Sequence, residues 1–242
     1  MRTLLFFTLT VCFLISKTYG QEFNKSINKD SLLQTIVKYL PEDQKAELLK
    51  RYKEGNEQAK EFLLVMFSAP RSSKKEMIAN IDSNIININS LKTEYSKLVP
   101  KNYIVSIEFN PADKIVMMKE SIDLRIEDTS NKQPNLTQDW NLEYNSKKLS
   151  QMIKRLGWTN ETLLTIRKLL ASAQCVSIEN GGITTIGFAR SGMGKYSFKV
   201  FDHNLTEDQI KQYNDGCIYI FYKNNIVLEY GGGAVGPQCF PD

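Results

Sequence analysis

His203 is the only histidine in the 242 residues. Any Ser-His-Asp or Cys-His nucleophile would have to use it. It stands in Asp202-His203-Asn204, a loop after a strand-like run, and no serine occupies a G-x-S-x-G elbow. We read it as an ordinary surface residue. Cys175 is a thiol that His203 could serve, yet its apolar neighbour Val176 favours a structural role.

Glycoside hydrolysis needs two carboxylates flanking one bond. Asp123 and Glu127 share the polar face of one strand with Arg125 between them, a pattern usual for a solvated sheet face. Glu108, Glu179 and Glu229 also lie in or at the ends of strands. Burial there would raise their pKa values.

Two glycine-rich stretches invite comparison with phosphate loops. Gly231-Gly232-Gly233-Ala234-Val235-Gly236 satisfies G-x-G-x-x-G, but Pro237 and Pro241 follow where a helix should open, and the acidic residue expected about 20 positions on is missing. Gly192-Met193-Gly194-Lys195 lacks the first glycine of a phosphate loop and has Tyr196 after the lysine. What remains is a hairpin tip flanked by Arg190, Ser191 and Lys195, the best candidate for binding an anion. Among the aromatics of the last fifty residues, Tyr222, Tyr230 and Phe240 are candidate surface contacts, and the others read as core. No catalytic residue is assigned, and no cofactor is implied. One histidine and the lack of a C-x-x-C pair leave no zinc site.

These residues need elements to hold them. The first twenty residues have Arg2, then a nearly continuous apolar run over Leu4–Ile15, then Thr18-Tyr19-Gly20. That is the layout of a secretory signal cleaved after Gly20, because the run is too short to span a membrane. Removing it leaves 29 basic against 27 acidic side chains, a formal charge of +2. Such a balance excludes nucleic acid as a partner, since counterion displacement needs a concentrated basic surface. No transmembrane span is expected in the mature chain, and the expected location is periplasmic or extracellular.

Cys12 leaves with the signal. The three remaining cysteines meet an oxidising compartment, where disulfides persist. The preferred pair is Cys217–Cys239, because the glycine-rich tail can lay Cys239 back beside Cys217. Cys175 is then a buried strand thiol, and three reduced thiols are the alternative. Four N-x-S/T acceptor sequences begin at Asn24, Asn135, Asn160 and Asn204 and matter only in a glycosylating host.

Residues 21–100 read as helical, with helices from about Ser31 to Leu40, from Pro41 to Gly55, and from Asn56 to Ala69. Ser73-Lys74-Lys75-Glu76 is a capping box opening a longer helix. Its stripe Met77, Ile81, Ile85, Ile88, Leu91, Tyr95 and Leu98 is expected to face the core. Val99-Pro100 stops it, and a semi-separate helical unit is expected to end there.

From Tyr103 the period becomes two. Strands are expected over 103–109, 116–127 and 140–144, with 129–138 as a polar connection. Two helices follow, over Lys147–Leu156 and Thr159–Ala173. Strands return at 175–179, 183–189, 195–201, 217–222 and 225–230, joined by hairpin turns. Cys217–Tyr222 is apolar on both faces and reads as a central strand. Ten of the thirteen glycines follow residue 180, in keeping with a tightly turned strand-rich half. The expected class is α+β: N-terminal helices, then a largely antiparallel sheet with two inserted helices over 101–242.

The function expected is that of an exported, soluble, non-catalytic protein that binds another macromolecule, as an inhibitor, immunity-type protein or envelope accessory protein. The alternatives are a secreted hydrolase using strand carboxylates and a binder of a small anion or ligand through Arg190, Ser191 and Lys195. A pocket at that hairpin would favour the last.

Overall fold

The computed structural model describes residues 22–40, 42–131, 133–191, 194–231 and 236–241. The expected signal segment, the hairpin tip 192–193 and the glycine run 232–235 lie outside them. The described residues form seven helices and eight strands of α+β class. All neighbouring strands pair antiparallel, in the order β3-β2-β1-β4-β5-β6-β8-β7.

Three short helices come first: α1 (Lys29–Tyr39), α2 (Glu42–Glu54) and α3 (Glu57–Ser68). The first begins two residues earlier than its sequence pattern suggests, because the Asn28 side chain accepts from Ser31 N and caps it. These helices close a small core of Phe23, Leu33, Ile36, Leu40, Leu48 and Leu64, with Ile115 packed against it. The long helix α4 (Lys74–Leu98) opens with the expected capping box, Ser73 with Glu76. Its stripe from Met77 to Tyr95 is buried in the main core instead. The apolar packing thus divides between α3 and α4, ahead of Pro100.

The sheet begins with β1 (Tyr103–Asn110), β2 (Ser121–Asp128) and β3 (Asn135–Leu142). Residues 113–118 form a bridged turn between Asp113 and Met118 and are not part of the second strand. The third strand starts earlier than expected, inside the stretch read as a polar connection, and runs through Trp140 to Leu142, short of Tyr144. It pairs with β2 from Asn135 opposite Asp128, and as an edge strand it stays largely exposed, Leu136 and Trp140 included, until Leu142 enters the core.

Helices α5 (Lys147–Arg155) and α6 (Asn160–Ser172) follow and pack with α4 on one face of the sheet. Then come β4 (Ser177–Glu179), β5 (Thr184–Ser191), β6 (Gly194–Val200), the helix α7 (Glu207–Gln212), β7 (Tyr219–Lys223) and β8 (Ile226–Gly231).

β7 is an edge strand, which corrects its reading as central. It is apolar on both faces for another reason. Ile220 and Tyr222 pack on the main core. Tyr219 and Phe221 pack, with α7 residue Ile210, on a second small cluster of Phe201, Leu205 and Val227. Cys217 and Cys239 are the pair at disulfide distance, and Cys175 is free and buried. That pair pins the tail so that Phe240 meets Tyr196 and Tyr230. No helix among the described residues is long and apolar enough to cross a membrane.

Candidate functional site

Two features lie together at one end of the sheet, a charged cluster and a cleft. The cluster is built by register. Glu108 on β1 pairs with Ser177 on β4, which pairs with Gly187 on β5. A Cβ on Gly187 would lie 2.1 Å from Ser177 Oγ and 3.1 Å from Lys195 Cδ. The bare backbone there lets Lys195 lie across the strand and reach Glu108.

A bulge follows at once: Gly187 pairs with Ser197, but Ala189 pairs with Tyr196, so Phe188 is the extra residue. The extra residue changes the parity of the strand. Phe188 packs on the main core, and Arg190 comes out on the same face as Lys195 and Glu108.

Arg190 Nε donates to Glu108 Oε1 at 2.6 Å, and Lys195 Nζ donates to Oε2 at 3.0 Å and to Ser177 Oγ at 3.2 Å. Arg190 Nη2 donates to Asp123 Oδ2 at 3.2 Å. Burial alone pushes the Glu108 carboxyl up. The charges of Lys195 and Arg190 and their hydrogen bonds outweigh that effect and hold it below its ordinary value. Arg190 is raised: burial opposes its charge, and Glu108 and Asp123 outweigh that cost.

The cleft has a volume of about 710 Å³ and lies between the first half of α4, the end of β1 and the end of β5. Phe109, Val176, Phe188, Ala189, Pro70 and Pro111 supply apolar lining. Asn80, Asn84, Gln174, Arg71, Glu76, Glu108 and Arg190 supply its polar groups.

Asn84 departs from helical geometry, with φ −122° and ψ 16°, and its Nδ2 donates to Asn80 Oδ1 at 2.7 Å. Asn80 is buried and donates on to Ala173 O at 3.3 Å, tying α4 to the end of α6. Gln174 closes α6 in the left-handed region, φ 51°, with Cys175 N reaching back to Leu170 O. A glycine would be easier there, yet a side chain is kept at the cleft. Behind it, burial pushes the Cys175 thiol up to about 12.

Of the five binding residues expected from sequence, Arg190 and Lys195 meet at Glu108, and the five do not gather at one cleft. Arg190 alone lines the cleft. Ser191 instead ties down the linker before α4, exchanging hydrogen bonds with Ser72 N and O at 3.2 Å. Lys195 is committed to Glu108 and Ser177, so the hairpin flank presents a neutralised cluster to any incoming anion. Tyr222 is not a free surface contact either, because its hydroxyl donates to Asp82 on α4, which Lys223 also holds. Tyr230 is buried against Tyr196, with ring centroids 4.7 Å apart.

Sequence reasoning passed over Asn80, Asn84, Phe109, Gln174 and Phe188. One signal was present: Glu108 is the one charged residue in the strand run from Tyr103 to Phe109. His203 stands in an exposed loop beside Asp202 and is not among the residues that line the cleft. Among the described residues, no three His, Cys, Asp or Glu side chains group to hold a metal ion. No family model, curated protein or solved structure matches this chain, and the cleft's own geometry is what bears on function.

Proposed function

We propose that this is an exported, non-catalytic binding protein that takes a small ligand with an apolar body into the cleft between α4 and β5. The cleft's make-up carries the reading. It presents mostly apolar surface, from residues such as Phe109, Val176 and Phe188, together with many polar and charged side chains, in a volume typical of small-molecule sites. Export is supported by the leader-like first twenty residues and by the Cys217–Cys239 pair, since such pairs persist in oxidising compartments. The hydrolase alternative needs a carboxyl that holds its proton near neutral pH. Glu108, the buried carboxyl at the cleft, is shifted the other way. Cys175 lacks the lowered pKa of a nucleophile.

The test is extraction of the folded protein purified from its own source, followed by untargeted mass spectrometry of what it releases. Ala79 lines the cleft from α4, and Ala79→Trp would fill it. The expected result is a near-stoichiometric small molecule from the native protein and none from the variant, with unchanged thermal unfolding. Equal recovery from both, or nothing from either, would contradict the reading.

A macromolecular partner is the second reading. The observation favouring it is edge strand β3, which exposes Leu136 and Trp140 at 50% and 61%. Affinity capture from envelope and secreted fractions, with Trp140→Ala as control, tests it. A near-stoichiometric protein lost with Trp140→Ala is the supporting result.

A further inference from the structure

The charges lining the cleft are not equally satisfied. Glu108 is held by Arg190 and Lys195, and Arg190 is shared with Asp123. Glu76 is occupied by the start of its own helix: its Oε2 accepts from Ser72 Oγ, Ser73 N and Ser73 Oγ at 3.0–3.2 Å. Arg71 differs. Its guanidinium lies 5.8 Å from the Phe67 ring centroid, and among the described residues it has neither a carboxylate partner nor a side-chain hydrogen bond. It stands at the cleft between Pro70 and Ser72, and Ser191 fixes that linker through Ser72. A planar fork of donors with no carboxylate of its own, on a residue lining a cleft that also presents Phe109 and Phe188, matches a carboxylate.

The geometry points to a ligand that carries one carboxylate, pairing with Arg71, on an apolar body seated against Phe109 and Phe188. This rests on the cleft being the binding site. It also moves the anion contact from the Arg190–Lys195 flank, where the cations are already neutralised, to the linker before α4. Phosphate monoesters, with their higher charge and strong hydration, suit the apolar surface less well.

The test uses 4-phenylbutyrate and the straight-chain six-to-twelve-carbon carboxylates, each against its own primary amide, titrated into the full folded protein by calorimetry. The carboxylates are expected to bind about tenfold or more tightly than their amides, the difference that a hydrogen-bonded charge supplies. Arg71→Gln is expected to bring the two to equal affinity, and Arg71→Lys to keep part of the preference. Ala79→Trp is expected to remove binding of both. If the native protein binds acids and amides equally, the carboxylate inference fails and the cleft reading stands. If it binds neither, the cleft reading itself fails. A preference that survives Arg71→Gln overturns the assignment to Arg71.

Discussion

Glu108 shows how a charge is kept inside an otherwise apolar strand. Its side chain is 10% exposed and is bound by two cations, Arg190 from β5 and Lys195 from β6, that reach it across β4. Removing one partner of a buried pair leaves the other charges uncompensated, and that exceeds the worth of the pair itself. Glu108→Gln is expected to cost roughly 2–3 kcal/mol in urea unfolding at pH 7. The same pairing sets an acid limit. A carboxyl whose folded pKa lies below its unfolded value adds stability that is fully present above the unfolded value, and that stability is lost as pH falls through the folded one. The native protein should therefore lose urea resistance more steeply than Glu108→Gln below about pH 4. Parallel curves would contradict this. Ser121 is the opposite case: its buried hydroxyl has no hydrogen-bond partner among the described residues. Ser121→Ala is expected to leave stability unchanged or slightly raised, because a desolvated, unpaired hydroxyl is removed. Cys175, with its pKa near 12, should resist iodoacetamide in the folded protein and react on unfolding, as read by mapping its peptide.

At the scale of elements, the bulge in β5 and the glycine before it create the site. Gly187→Ala would set a Cβ against Ser177 Oγ and in the path of Lys195. It is expected to destabilise by about 2 kcal/mol or more, with partial recovery in Gly187→Ala/Ser177→Ala, as overpacking of a fixed space predicts. Cys217 and Cys239 close a loop with a sequence separation of 22 residues. Replacing both by serine should cost roughly 3 kcal/mol in unfolding experiments.

Most of these elements were legible because their signals are local. Alternation marked the core-facing Val105, Ile107, Leu124 and Ile126, and Ser73 with Glu76 marked the start of α4. The failures have local and long-range causes. The helix α7 carries a capping box of Thr206 with Gln209, a signal that was present in the sequence and passed over. The place of β7 at the sheet edge depends on what covers its outer face, which no window of residues contains. The cleft is further from view. Asn80, Phe109, Gln174 and Phe188 meet only through the β1–β4–β5 register, the left-handed end of α6 and the bulge.

At the scale of the molecule, two cores of unequal size share one chain, beside the small cluster under β7. The sheet and α4–α6 enclose the larger, and α1–α3 close a smaller one that meets the rest at Ile115. Asn24 adds hydrogen bonds to Lys114 O and Ile115 O there, and Ser72 and Ser191 form the other tie. Cores of such different size open with different free energies. Amide hydrogen exchange should show residues 29–68 exchanging well before the amides of β1, β5 and β6. The cleft lies where the linker from the small core enters α4, so a ligand seated on Arg71 would also brace that linker.

The most direct test of the central claim is chemical-shift mapping of the native protein as it takes up the small molecule it carries, or the best carboxylate probe. The account predicts perturbations that saturate together and centre on Arg71, Asn84, Phe109, Gln174 and Phe188, and that vanish in Ala79→Trp. Saturable shifts centred instead on Leu136 and Trp140, with the cleft amides unmoved, would contradict it.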